Sequence, residues 1–399
     1  MYRAKKKKNT NTSRILECIY RNAPIARTEI SDETDITPAT VTATVSSLIA
    51  RGVVAEVGEV SPEENTSGRK RVLIDLTASY AYSIGIEFTQ KALCICIMDL
   101  KGTVAHQSVT PFCDALAADI TDRIISGTRQ LIEDSGIGPD QIVGIGIAVP
   151  GHMDSDSSRL VSNRTTWSSF SPKSIEAGLP YPVVYENNAR CMAYGKYLFD
   201  PVHSPDNFAF FHVGLGMFCA NVIDGELFLG NNYVAGEIGH TIVCEGGRRC
   251  ECGKNGCLQT YSSEYHLLKN AHMLYENSPR TLLRELAASP DEITIDTVTT
   301  AYSMGDSGIT AFISEALKYL GVTVSNIAIV MNPGKIFLHG QFFQNPDIRT
   351  ELMDYIKRQL IFVDSTYEDN VEILPYRITD GAIGAGAMAI QKFFINRPQ

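Results

Sequence analysis

Apolar residues recur along this chain with two periods, and each change of period predicts an exchange of helix for strand. Ser13 to Arg21 places Ile15, Leu16 and Ile19 on one helical face. Arg27 to Thr34 predicts a short second helix with Ile30 turned inward. Asp35-Ile36 makes a turn, and Thr37-Pro38 opens a third helix, a capping threonine followed by proline at the first helical position. In that helix Val41, Val45, Leu48 and Ile49 form the buried stripe. Gly52 ends it. Val53 to Val60 and Val72 to Leu76 then read as a hairpin around the polar loop Ser61 to Arg71.

From about residue 80 the pattern is longer and repeats. Tyr82 to Ile86 and Ala92 to Asp99 predict paired strands, and Val143 to Gly151 predicts a buried strand entering a tight turn. A second set opens with Phe208 to Val213, Gly216 to Ile223, a turn at Asp224-Gly225, and Glu226 to Leu229. Helical spacing follows at Ser263 to Tyr275, Pro279 to Ala287 and Thr310 to Asn332, then a short strand at Ile336 to Gly340 and a last helix from Gly381 to Asn396. Strands followed by helices in each half predict an α/β protein of two lobes.

Composition narrows the partners. The 399 residues exceed one ordinary core, and 44 % hydrophobic with 20 % charged residues describe a soluble globular chain. There is no apolar run of membrane-spanning length and no apolar segment of secretory type behind the N-terminus, so the expectation is a cytoplasmic protein without a membrane partner. Ten cysteines, three of them in a metal-ligand pattern, fit a reducing compartment. The net charge of −10 argues against a surface that coats nucleic acid throughout. Residues 1 to 30, however, hold eight Lys or Arg against Glu17 and Glu29. A basic end on an acidic body points to a polyanion partner at that end alone.

The third helix gives that partner a reading surface. Opposite its buried stripe it carries Thr37, Pro38, Ala39, Thr40, Thr42 and Thr44, with Ser46 and Ser47 beyond. Short hydroxyl side chains can approach phosphates and base edges closely, as a recognition helix in a major groove must. The hairpin tip ends in Gly68-Arg69-Lys70-Arg71, and a glycine followed by three cations suits a narrow minor groove. Arg69, Lys70 and Arg71 are therefore expected to contact DNA. The competing reading, a helical oligomerisation module, is opposed chiefly by those cations.

A second constellation lies between Gly236 and Cys257. His240 stands ten residues ahead of Cys250, and Cys252 and Cys257 follow two and seven residues later. Three thiolates and one imidazole are a tetrahedral zinc set with no open position for water, hence structural. Glycines at 246, 247, 253 and 256 let a short backbone fold around the ion.

Gly-Glu-Ile-Gly-His followed by Cys-x-Cys-Gly-x-x-Gly-Cys-Leu resembles the signature of the ROK family (repressor, open reading frame, kinase), and the match runs in register along most of the chain. The resemblance implies an N-terminal winged helix-turn-helix, residues 1–77, followed by an α/β two-lobed actin-like, sugar-kinase-like fold. Its first lobe would comprise 78–200 plus 381–399, and its second lobe, with the zinc loop, 201–380. By resemblance the last helix crosses back onto the first lobe. The front segment is similar to the module that ROK repressors carry and ROK kinases lack, with Ala26, Asp35 and Lys70 replacing a serine, a turn glycine and a wing proline.

The family's kinases need two phosphate-cradling turns and a catalytic aspartate. The first turn resembles Asp-x-Gly-Gly-Thr, and here reads Glu87-Phe88-Thr89-Gln90, where Phe88 is expected to block backbone approach to a phosphate. The second resembles Gly-Thr-Gly and here reads Gly214-Leu215-Gly216. Asn188, in Glu186-Asn187-Asn188-Ala189, replaces the catalytic aspartate, and an amide cannot take a proton from a sugar hydroxyl. His339-Gly340 stands where a pair of glycines is usual near adenosine. No catalytic residues are expected. The family's sugar-binding positions map onto Asn163, Asn187, Glu237 and His240, with Gln259 in place of a glutamate and Asn188 still able to hydrogen-bond the sugar.

The expectation is a sugar-responsive repressor of carbohydrate uptake or metabolism genes. Its partners would be a palindromic operator DNA, a monosaccharide effector and its own copies, as dimer or tetramer. Which sugar, whether xylose, glucose, a related hexose or an N-acetylated one, stays open. The rivals are a ROK-type ATP-dependent sugar kinase and a repressor controlled by a protein partner.

Overall fold

The computed structural model describes residues 10–60, 71–154, 159–161, 165–231, 234–360 and 370–397. The chain forms two compact units, Met1–Ser204 with Ile378–Gln399, and Pro205–Arg377.

The first unit begins with three helices, α1 (Asn11–Asn22), α2 (Arg27–Thr34) and α3 (Pro38–Ala50), with the two-residue strand β1 (Ile25–Ala26) ahead of α2. Thr10 caps α1 through Ser13 N–H, and Thr37 caps α3 through Thr40 N–H. Asp35 takes the left-handed turn between α2 and α3 at φ 52°. Val41, Val45 and Leu48 are buried. Strands β2 (Val54–Val60) and β3 (Arg71–Leu76) pair antiparallel, and β1 adds to β3. The arrangement is a winged helix-turn-helix. The tip of the hairpin, including Arg69 and Lys70, lies outside the described residues.

The rest of this unit is a sheet of order β10-β7-β4-β5-β6. Its strands are β4 (Tyr82–Phe88), β5 (Ala92–Asp99), β6 (Val104–Pro111), β7 (Ile142–Val149) and β10 (Val183–Asn187), with β8 (His152–Asp154) and β9 (Arg159–Val161) forming a separate ribbon. Helices α4 (Asp114–Ala118) and α5 (Ile120–Ser135) carry the chain from β6 to β7; α6 (Pro172–Gly178) precedes β10, and α7 (Asn188–Phe199) follows it.

The second unit repeats the plan, with sheet order β13-β12-β11-β14-β15. Here β11 (Phe208–Val213), β12 (Met217–Ile223) and β13 (Glu226–Leu227) run antiparallel, and β14 (Lys335–His339) and β15 (Val371–Ile373) add in parallel. Between β13 and β14 lie α8 (Gln259–Ser262), α9 (Glu264–Asn277), α10 (Leu283–Leu286), α11 (Ile295–Ser303) and α12 (Ser307–Met331); α13 (Pro346–Gln359) precedes β15. In both sheets three antiparallel strands come first and two parallel strands join the first strand's far side. The 25-residue α12 is long and apolar enough to cross a membrane by composition. Its Ile313, Leu317, Leu320 and Val324 belong instead to this unit's core.

Two sequence expectations are too long. The strand from Glu226 stops at Leu227, and within 279–287 only Leu283–Leu286 is helical. Two or three residues of apolar pattern carry no partner strand, and Thr281 is drawn away by its bond to Asp306.

Helix α14 (Asp380–Ile390), continued by a π turn to Ile395, returns to the first unit. It lies directly on strand backbone: a Cβ on Gly85 would stand 1.8 Å from Ala382 O, and one on Gly146 1.8 Å from Ala385 O. No L side chain fits there, and helix and sheet must separate to admit one. Gly146→Ala is expected to cost about 3 kcal/mol, at the upper end of overpacking in a well-packed core. Thermal unfolding checks this, with Gly136→Ala, at an uncrowded left-handed turn, as the milder comparison.

Candidate functional site

The face of α3 opposite the core is open. Thr37, Pro38, Ala39 and Thr42 are exposed, and Thr40 and Thr44 are half-buried. Capping explains Thr40, whose hydroxyl meets Thr37 Oγ1 at 2.9 Å. Arg71, at the base of the wing, pairs with Glu29 at 3.0 Å, and Arg27 on α2 pairs with Glu56 on β2 at the same distance. These exposed pairs are worth under about 1 kcal/mol each and are easily exchanged for a phosphate.

In the second unit the loop after β13 gathers His240, Cys250, Cys252 and Cys257, with all four ligand atoms within 4.8 Å of one another. His240 ends a single 3-10 turn, and the isolated bridges Ile242–Cys257 and Arg249–Asn255 fold the cysteine segment back on it. Cys250 Sγ lies 3.7 Å from His240 Nδ1, and Cys252 Sγ 3.6 Å from Cys257 Sγ. Thiolates about 2.3 Å from a tetrahedral ion stand about 3.8 Å apart, so the donor set is gathered closely enough to hold a metal ion. Burial and the neighbouring thiols push the Cys257 thiol up to about 12. A cation held there would favour the thiolate form of all three.

His240 turns its other nitrogen outward. Nε2 lies 4.0 Å from Glu237 Oε2, so one imidazole faces the thiols and the carboxylate at once. Gln259 is drawn to the metal side: its Nε2 donates to Glu251 Oε2 at 3.2 Å and approaches Cys250 Sγ at 3.5 Å. Lys254 donates to His240 O at 2.7 Å.

In the first unit Asn187 and Asn188 sit where β10 becomes α7. Asn187 is buried and caps the helix, its Oδ1 accepting from Ala189 and Arg190 N–H while Nδ2 donates to Gly151 O. That leaves one amide N–H uncommitted among these contacts. Asn188 is half-buried and donates to Glu87 Oε1 at 3.4 Å. Asn163 lies outside the described residues. Beneath them the buried Arg190 pairs with Glu186 at 3.3 Å.

Glu87 is the participant that motif reading undervalued, and Phe88 the one it misplaced. Side chains on β4 alternate, so Phe88 turns into the core against Trp167 and Phe170 and does not stand over the turn. Glu87 takes the other face, between Asn188 and the first turn of α14. A Cβ on Gly381 would stand 2.1 Å from its carboxyl carbon. Burial raises its pKa from 4.5 to about 7, against the bonds from Asn188 and Gly381 N–H that lower it.

The second unit brings two histidines together beside the turn Gly214-Leu215-Gly216. His212 and His339, opposite one another on β11 and β14, bring their Nδ1 atoms to 2.9 Å. Phe210 and Tyr376 stack on His339 at 5.4 and 5.5 Å. His212 Nε2 also stands 2.7 Å from where a Cβ on Gly214 would lie, beside the turn Gly214-Leu215-Gly216. Two imidazoles in hydrogen-bond contact share one hydrogen between them. Only Leu215 in place of a threonine and His339 in place of a glycine were legible in the sequence, because the pairing joins strands 127 positions apart.

Comparison with known proteins places these features together. Residues 83–392 match the model of the ROK family, and residues 8–55 that of a winged helix-turn-helix DNA-binding domain. The xylose repressor of Bacillus subtilis (strain 168) is 25 % identical over 96 % of this chain and 95 % of its own. The DNA-binding transcriptional dual regulator NagC of Escherichia coli (strain K12) is 25 % identical over 84 % of this chain and 81 % of its own. Among solved structures, a ROK family transcriptional regulator described as a homologue of the E. coli MLC protein superposes with a TM-score of 0.73 at 21 % identity. It covers 96 % of this chain and 97 % of its own.

Glu87 gives a signed pH dependence. Its folded pKa lies above the unfolded value, so the folded chain holds this proton more tightly and loses stability as pH rises from about 4.5 through about 7. Glu87→Gln removes that loss. Melting curves of the two proteins are expected to diverge in the variant's favour between pH 5 and pH 8, and parallel curves would contradict the assignment.

Proposed function

Because the chain belongs to the ROK family and carries a winged helix-turn-helix at its front, we propose that it is a sugar-responsive repressor of carbohydrate uptake or metabolism genes. The observation that carries this reading is the joint presence, in one chain, of that module and a ROK body over nearly the whole length of the xylose repressor it resembles. Operator DNA would be read by Thr37, Pro38, Ala39, Thr40, Thr42 and Thr44 in the major groove, and by Arg69, Lys70 and Arg71 beside it. Two copies of the chain would match a palindromic site, and the work would be done in the cytoplasm.

The effector would be a monosaccharide held by Asn187, Asn188, Glu237 and His240, with Asn163 and Gln259 as further candidates. Amides, a carboxylate and an imidazole can each accept or donate to ring hydroxyls in fixed directions. Xylose and N-acetylglucosamine, named in its relatives, are the first sugars to try. Zinc would occupy the His240, Cys250, Cys252 and Cys257 set as a structural ion, and Nδ1 ligation would aim Nε2 of His240 at the sugar.

Phosphoryl transfer is disfavoured by chemistry at three points. Asn188 offers no base, Glu87 and its neighbours offer no glycine cradle, and the His212–His339 pair stands beside the second turn. ADP release from ATP, magnesium and a sugar panel, abolished by Asn188→Ala, would overturn this.

The positive test is a thermal-shift screen of monosaccharides together with selection of bound duplexes from a random pool. One sugar is expected to raise the melting temperature and to change affinity for the selected palindrome roughly 5–150-fold. A protein that selects no duplex would sink the proposal.

The metal has its own readout. The purified chain is expected to hold about one zinc per chain, and Cys250→Ser to lose it and weaken sugar binding about 10–100-fold. Unchanged sugar affinity in a zinc-free variant would separate the two sites.

A further inference from the structure

Helix α7 has a partner at each end, and the two partners belong to different functions. At its start Asn187 accepts the N–H groups of Ala189 and Arg190, at 3.0 and 3.3 Å, and Asn188 is its first residue. At its end stands Arg21, from the last turn of α1 in the winged module. Arg21 Nη1 donates to Tyr197 O at 2.9 Å, Nη2 donates to Ser204 O at 2.8 Å, and the guanidinium lies 4.1 Å over the Tyr197 ring.

The chemistry suits a clamp. Tyr197 O is among the last carbonyls of α7, which have no partner within the helix, and a cation is favoured at that negative end. The fork of a guanidinium can hold two carbonyls at fixed separation, which an ammonium cannot. Ser204, buried and tied by its hydroxyl to Lys196 O, is the last residue of the first unit before the chain passes to the second at Pro205. One arginine of the reading module thus holds both the end of α7 and the exit of the chain.

Between its ends α7 is stiff. A Cβ on Gly195 would lie 2.9 Å from Gly384 Cα, and one on Gly384 2.2 Å from Cys191 O, so α7 and α14 touch backbone to backbone. Twelve residues span about 18 Å. The other side of α1 borders a cavity of about 450 Å³ whose lining includes Leu16, Leu48, Tyr80 and Phe394, which leaves the module room to tilt about the clamp.

We propose that α7 is the rod linking sugar to DNA, with Arg21 as the coupling residue. A sugar hydroxyl engaging Asn187 or Asn188 shifts the capped end, the rigid helix carries the shift to Tyr197 and Ser204, and Arg21 transmits it to α1. The proposal deepens the sugar-responsive reading and rests on its assignment of the two asparagines.

Amide hydrogen exchange on the full chain tests it, with wild type, Arg21→Ala and Arg21→Lys, each with and without D-xylose and N-acetylglucosamine. In wild type, a sugar that slows exchange in the first turn of α7 is expected to change exchange in α1 at least about fivefold, the lower end of allosteric couplings. In Arg21→Ala the response of α7 persists and that of α1 is lost; Arg21→Lys, charged but without the fork, behaves like alanine. Unchanged exchange in β4, β5 and β7 shows that each variant is folded. An α1 response that survives in Arg21→Ala overturns the proposal, as does a silent α1 in wild type.

If neither sugar protects α7, the effector assignment falls and the rod is tested without ligand. Asn187→Ala, which uncaps α7, is then expected to speed exchange in α1 when Arg21 is present and not when it is alanine. Equal effects in both backgrounds overturn the rod itself.

Discussion

Backbone contact between α14 and the strands beneath it underlies the first unit. Gly85 on β4 and Gly146 on β7 lie so close to Ala382 and Ala385 that even a methyl group is excluded. Close packing of this kind has few adjustable contacts, because main-chain atoms cannot change rotamer. It fixes α14 against the sheet, fixes α7 against α14 through Gly384, and brings Gly381 up to the carboxylate of Glu87. The asparagines at the head of α7, the buried Glu87 behind them and the carbonyls that Arg21 holds all take their positions from that one seam.

The metal-ligand loop solves a different problem. Its residues are joined by isolated bridges and turns, not by a sheet, and such a loop has little apolar burial to hold it. An ion joining one imidazole to three thiolates would supply further order and hold the His240 ring between Cys250 and Glu237. The second unit thus has a β core carrying a loop that gathers four possible metal ligands.

A ROK body that holds a sugar without transferring a phosphoryl group to it, as proposed, would be physically consistent. Transfer of a phosphoryl group needs a base and donors aimed at developing charge, and each is a single-residue property. Holding a sugar needs only hydrogen-bonding side chains on rigid elements. An amide such as that of Asn188 would be compatible with the second capacity and not with the first.

Local chemistry was legible in one dimension. The capping Thr37-Pro38, the left-handed Asp35 and the period-two strands each depend on residues within a few positions of one another, and the His240 to Cys257 spacing on one short segment, so order along the chain fixes them. The duplicated halves showed as strands followed by helices, and the folded chain adds β6, α5, α11 and α13 to that plan. Phe88 was misjudged because a motif names a residue but not which face of the strand it takes. Glu87 beneath Asn188, His212 against His339 and Arg21 on Tyr197 join positions 101, 127 and 176 apart. Only the folded chain decides those, because the hydrogen bonds exist once distant donors and acceptors have been brought within about 3 Å, and nothing in the flanking residues requires it.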